Sequence, residues 1–344
     1  MIFLKTDWIA RWFSTYQQSG EFIGVRFAKI APGSSQPEWF YKPHNQSDAI
    51  GSFTDLLEKE RYTKIDSFEL KNKEFPSWWG IFKSWIFYLR SLKIKSPRWK
   101  NFKKHSLQKA LHTSPQALAW KVFTKEETNQ IQKNAVREGG SLNSYLLNRL
   151  THVLSAEFQD EKASVWWVLP VNMRGGIQMP SILVNGASMM DIETKPQESA
   201  YETHERIKKN FKHNIHWGTW YALSFSAMLG QCARRVILKI QSRSSSQRIG
   251  TFSNIGSWDP DPPHGFESSD WIFCPTVFQN QLLGVGCLLF RGKLSLAIQI
   301  HPTLTEDPRI SSRWLADWGR ELLMGGYKLQ SYDGSDEGND KNNS

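Results

Sequence analysis

Hydrophobic positions along the chain switch between a helical and a strand period. Behind Asp7, which has the chemistry of an N-cap, Trp8 to Tyr16 predicts a helix. Phe22 to Ile30 and Glu38 to Lys42 are short apolar and aromatic runs. Pro32-Gly33-Ser34-Ser35 between them supplies turn chemistry, so the pair predicts a hairpin. Ile50, Phe53, Leu56 and Leu57 return to helical spacing. Pro76-Ser77 opens an aromatic element from Trp78 to Leu92, and its basic continuation runs to Lys109. Ala117 to Phe123 predicts a strand and Lys125 to Arg137 a charged helix. After the Gly139-Gly140 break, Ser141 caps a helix with Leu142, Tyr145, Leu146, Leu150 and Val153 on its apolar face.

The second half begins with the buried-strand run Val165 to Val171. A strand around Ala187 to Ile192 and a helix around Glu202 to Phe211 follow, and Ser242 to Ser246 has the composition of a flexible connection. Strands are predicted at Arg248 to Phe252, Trp271 to Phe273, Leu282 to Phe290 and Lys293 to Ile300, with Gly292 turning the last two into a hairpin. A helix from Pro308 to Leu323 closes the pattern, and the polar tail 331–344 is expected to be disordered. Strands and helices alternate in both halves. This predicts an α/β fold in two lobes, 1–155 and 156–330, with mixed sheets flanked by helices.

Composition narrows the function classes. The 344 residues carry 43 Lys plus Arg against 33 Asp plus Glu, a net charge of +10, which favours an anionic partner. The excess is concentrated: no acidic residue lies between Glu74 and Glu126. Cys232, Cys274 and Cys287 are scattered and odd in number, so neither a disulfide framework nor a zinc site is expected, and a reducing, cytoplasmic location is. Asp7 and Arg11 interrupt the N-terminal apolar residues, so no signal peptide is expected, and no run is long enough to span a bilayer. Sixteen Trp call for a core, pocket or interface to hold them.

Chemistry concentrates at His44, which leaves a predicted strand, and Asp48, four residues later, before small residues and an amphipathic helix. A neutral imidazole can take a proton from a hydroxyl or amine as that group attacks a carbonyl. The Asp can hold the turn without touching substrate. The plain alternative is a loop histidine beside an N-cap aspartate.

The segment Phe40 to Leu57, with its His-x-x-x-Asp, resembles the motif of the chloramphenicol-acetyltransferase-like superfamily, which includes condensation domains, plant BAHD acyltransferases and wax ester synthase/diacylglycerol acyltransferases. Further segments are similar in the same order. They are Gly140 to Leu147, Leu169 to Arg174, Val184 to Ala187, Thr251 to Gly256 and Phe290 to Leu296, and together they cover about residues 20–325. The chain departs from the pattern where Pro43 precedes His44, where Ala49 follows Asp48, and in a shortened N-terminal lobe.

The resemblance implies an acyltransferase that moves an acyl group from a thioester to a hydroxyl or amine, with His44 as general base. It implies Arg174 as partner of Asp48, and Ser253 or Asn254 as an oxyanion donor. No tightly bound cofactor or metal is implied; acyl-coenzyme A or an acyl-carrier protein is the co-substrate, and a small molecule or lipid the acceptor. A monomer is expected. A non-catalytic binding module on the same fold, serving a lipid or carrier partner, is the alternative.

Trp78 to Lys104 mixes aromatics with bases. It fits a helix on an anionic membrane surface, which would make the protein peripheral, and equally a buried lobe helix with a solvated basic end. Nucleic acid fits the composition but no motif supports it.

Overall fold

The structure is a computed structural model that describes residues 8–19, 23–65, 77–91, 97–100, 117–177, 179, 181–243, 248–264, 268–277, 281–305 and 307–325. In chain order its elements are α1 (Trp8–Gln18), β1 (Gly24–Ile30), β2 (Glu38–Pro43), α2 (Ala49–Lys59), α3 (Trp78–Ser91), β3 (Leu118–Val122), α4 (Lys125–Arg137), α5 (Leu142–Ser155) and β4 (Val165–Asn172). They continue with β5 (Ala187–Thr194), α6 (Ala200–Lys212), α7 (Ile215–Met228), α8 (Gln231–Arg243), β6 (Arg248–Trp258), β7 (Asp270–Pro275), β8 (Gln281–Phe290), β9 (Lys293–Ile300) and α9 (Pro308–Met324).

Local chemistry explains most boundaries. Thr124, Ser141 and Ser199 each accept a hydrogen bond from the N–H three residues on, and the side chains of Glu127, Ser144 and Glu202 accept one from the cap backbone N–H. Ser141→Ala is expected to cost about 1 kcal/mol in urea denaturation, the usual worth of such a cap. Helices α7 and α8 have no counterpart in the sequence reading. Helix α7 carries no Asp, Glu, Lys or Arg, so it lacks the polar stripe that marks a surface helix. Helix α8 runs to Arg243, so the first part of the expected Ser242–Ser246 connection is helical and the rest lies outside the described residues. Asp7, most of the basic continuation to Lys109 and the tail 331–344 also lie outside them.

The strands form a six-stranded sheet, order β3-β9-β8-β6-β4-β5, and a three-stranded sheet, order β2-β1-β7. The pairs β4–β6 and β6–β8 are parallel and the others antiparallel. Each sheet draws strands from both halves of the chain. β3 joins the large sheet beside β9, and β7 completes the small one beside β1, so the lobes expected at 1–155 and 156–330 share strands.

Alternation along β8 shows how the layers stack. Leu283, Val285 and Cys287 face the larger core with Leu146, Leu150, Trp314 and Trp318 of α5 and α9. Leu288 and Phe290 face the opposite way, into a core with Phe27, Phe53, Trp258 and Trp271. The two glycines on that second face let β7 lie directly over β8: a Cβ at Gly286 would meet Phe273 O at 1.9 Å, and one at Gly284 would meet Pro275 O at 2.3 Å. Five tryptophans, Trp167, Trp217, Trp258, Trp271 and Trp318, are fully buried. Helices α1, α3, α7 and α8 form a separate layer, in which α7 packs against both α3 and α1, and α1 against α8.

Candidate active site

The site begins where β2 ends. Pro43 closes the strand, and the next N–H, that of His44, donates to Ile23 O at 3.0 Å. One turn, closed by Gln46 N donating to Pro43 O at 3.0 Å, then leads to Asp48, whose extended backbone and side-chain bond to Gly51 N at 2.9 Å cap α2.

Asp48 does more than cap. Its carboxylate is buried and receives Arg174 in a two-pronged pair, Nη1 to Oδ2 at 2.7 Å and Nη2 to Oδ1 at 3.0 Å. Gly186 N donates to Oδ2 at 2.8 Å, so four N–H bonds converge on the two oxygens. Arg174 Nη2 also donates to Ile182 O at 2.6 Å and Val184 O at 2.7 Å. The ion pair therefore clamps the loop before β5 onto the start of α2.

That closure needs two glycines. A Cβ at Gly51 would meet Ile182 O at 2.7 Å, and one at Gly186 would meet Arg174 Nη1 at 3.0 Å. The close approach thus falls at Gly51, while Ala49 packs its methyl beside the core around Phe53.

His44 sits on the rim of this lock. Its Nδ1 lies 3.1 Å from Ser47 O. A carbonyl oxygen only accepts, so Nδ1 carries the proton and the neutral ring keeps its lone pair on Nε2. Its own carbonyl accepts from Asn185 Nδ2 at 3.0 Å, which ties the His44 backbone to the clamped loop. Burial pushes the imidazole pKa down from its ordinary value; the Ser47 carbonyl and the Asp48 charge oppose that shift. From α1, the Phe13 ring lies 4.9 Å from the imidazole, tilted 30°, and Gln17 accepts from Asn45 Nδ2 at 2.7 Å. Asn185→Ala removes the side-chain tie to His44 O and is expected to lower stability by about 1 kcal/mol in chemical denaturation.

The fold therefore brings His44, Asp48 and Arg174 together, with Asn185, Gly186 and Ser47. Ser253 and Asn254 lie on β6, and among the described residues neither bonds to His44, Asp48 or Arg174. Ser253 is buried opposite Gly286 of β8, and Asn254 Oδ1 accepts from Gly256 N at 2.9 Å beside a bulge. Among the described residues no group of three or more His, Cys, Asp or Glu is placed to hold a metal ion. Sequence reasoning missed Phe13, Ser47 and Gly51. Ser47 acts through its carbonyl, which every residue has, and so leaves no signature in the sequence.

No known family profile matches the sequence, and no curated protein matches it. Solved structures do. The nonribosomal peptide synthetase cyclization-docking bidomain EpoB of Sorangium cellulosum is similar with a TM-score of 0.54 and 11% identity, over 85% of this chain and 61% of that one. The chain thus spans less than two thirds of that protein. The TRI3 trichothecene 15-O-acetyltransferase of Fusarium sporotrichioides gives 0.55 and 11%, over 87% of this chain and 70% of that one. Polyketide synthase associated protein 5 of Mycobacterium tuberculosis gives 0.52 and 12%, over 86% and 75%. With its two sheets, mixed strand order and flanking helices, the chain has the chloramphenicol-acetyltransferase-like fold.

Proposed function

We propose that the protein transfers an acyl group from a thioester to a hydroxyl or amine, with Nε2 of His44 as general base. The observation that carries this reading is the Nδ1 contact with Ser47 O, which leaves Nε2 unprotonated in the neutral ring. In the reaction Nε2 takes the proton of the acceptor O–H or N–H as that atom bonds to the thioester carbon. The carbon–sulfur bond then breaks, and the departing thiolate takes the proton back from the imidazolium. Asp48 and Arg174 are positioning residues: they satisfy each other and hold the turn that aims the imidazole. Ser253 or Asn254 is the candidate donor to the oxyanion, where a fixed N–H or O–H would act as charge develops. The Gly256 N–H holds the Asn254 amide in place.

The donor is acyl-coenzyme A or a carrier-bound acyl group. A peptide synthetase bidomain and a polyketide-synthase-associated protein among the structural neighbours support including carrier-bound donors. A second reading, a non-catalytic binding module, draws on Phe13, whose ring covers one side of the imidazole.

The test is to incubate the protein with acyl-coenzyme A and acyl-carrier thioesters, with hydroxyl and amine acceptors present, and to follow free thiol. Release that disappears in a folded His44→Ala variant supports the transferase. No release from either donor class, or equal release from the variant, sinks it in favour of the binding module.

A further inference from the structure

The helical layer beside the site presents its apolar side the wrong way for a globular protein. In α3 the side chain of Ser84 is fully buried, and Gly218 of α7 packs so closely there that a Cβ would meet Ser84 O at 2.3 Å. At 100° per residue, positions 79, 82, 86 and 89 fall within about 80° of arc centred directly opposite Ser84. These positions hold Trp79, Phe82, Ile86 and Leu89, which are 75%, 59%, 37% and 54% exposed. An apolar stripe at this spacing ordinarily faces a core; here it faces solvent.

Neighbouring helices extend the anomaly. Phe225 and Met228 at the end of α7, and Val236 on α8, are also exposed. Scattered exposed apolar side chains need no explanation, but a continuous stripe of large ones does.

Charge identifies the occupant. Helices α1, α3, α7 and α8 contain no Asp or Glu, and every charged residue in them is Lys or Arg. Lys83 flanks the stripe and Arg235 adjoins Val236, both exposed. No described helix is long and apolar enough to cross a membrane. Large aromatics with bases and no acids suit a helix lying in the headgroup region of an anionic bilayer, where the rings enter the acyl boundary and the cations meet phosphate.

We propose that the outer face of α3, with its basic neighbours, is an interfacial docking surface for an anionic phospholipid membrane. The surface is read from exposure and charge and does not depend on His44 being a base. Because α1 carries both Phe13, against His44, and contacts to α7 and α8, docking there would bring the bilayer beside the candidate site.

Flotation of the full chain with vesicles tests this, using phosphatidylcholine with and without phosphatidylglycerol. Association with the anionic vesicles alone, weakened by added salt, is the expected result. The Trp79→Ser, Phe82→Ser, Leu89→Ser triple variant should lose roughly tenfold or more in partition coefficient. Lys83→Glu should weaken association, whereas Val136→Ser, at an exposed apolar position of α4, and His44→Ala should bind as wild type. The side chains substituted on α3 and α4 are exposed, and an unchanged melting temperature would show that the variants fold. Failure of the wild type to float, or undiminished binding by the triple variant, overturns the proposal. So does a wild-type dimer that the triple variant converts to monomer, because the stripe would then belong to a second copy of the chain.

Discussion

Arg174→Met is expected to lower the free energy of unfolding by about 3–5 kcal/mol, the usual cost of leaving one partner of a buried ion pair alone. Asp48 and Arg174 are both buried, and the guanidinium serves both carboxylate oxygens and the carbonyls of Ile182 and Val184. Without it, the carboxylate keeps only the N–H groups of Gly51 and Gly186, and the Ile182 and Val184 carbonyls lose this donor. Urea denaturation of the variant measures the loss. Arg174→Lys should recover only part of it, because a single ammonium cannot reproduce the planar fork. The double variant Asp48→Asn with Arg174→Met should be less destabilised than the two single losses added together, since no charge is then stranded. A loss under about 1 kcal/mol in Arg174→Met would mean that solvent reaches the pair and that the clamp is not what holds the loop.

His44→Ala is expected to reduce acyl transfer by about 10²- to 10⁴-fold, the range typical of a removed general base. The fold should survive, since His44 as a residue is half-buried and its ring bonds to the Ser47 carbonyl, a single contact outside the Asp48–Arg174 pair. The pH profile gives a sharper test. Burial lowers the imidazole pKa in the folded protein, so the ring is neutral, and a competent base, at pH 7. Activity should fall as the pH drops through that lowered pKa, so the acid limb of kcat/KM should lie below the ordinary histidine value of about 6.5. Its disappearance from the residual rate of His44→Ala would assign the limb to this residue. The sign for stability follows from the same shift. Between the folded and unfolded pKa values the unfolded chain holds a proton that the folded chain does not, so acid weakens the fold in that window. His44→Ala should remove that component, and above the unfolded value it contributes nothing.

The two proposals differ in their evidence. The transferase reading rests on the geometry of a few atoms around one imidazole. The membrane reading rests on the direction in which one helix face points. Vesicle binding by an inactive His44→Ala variant would separate them cleanly.

Much of the local structure was legible in the sequence. The hairpin of β1 and β2, the capped starts of α2 and α5 and the closing β8–β9 pair with α9 all fall where period and turn chemistry placed them. These features depend on neighbours a few residues apart, and a period or a cap is written at that range. Helix α7 escaped notice for the same reason: a segment with no charged residue has no polar stripe to give its period away.

What the sequence by itself determined, then, is the alternation of strands and helices, the basic excess and the His-x-x-x-Asp turn, because each is carried by residues close together in the chain. Tertiary structure decided the rest. Arg174 reaches Asp48 across 126 positions, and β3 and β7 cross between the halves, because sheet register and layer packing choose partners irrespective of separation. The Ser47, Ile182 and Val184 carbonyls that hold His44 and Arg174 are backbone atoms, which no side-chain pattern announces. The aromatic residues of α3 suit a buried helix as well as an exposed one. Close packing of Gly218 on Ser84 turned one side inward and left Trp79, Phe82, Ile86 and Leu89 facing out.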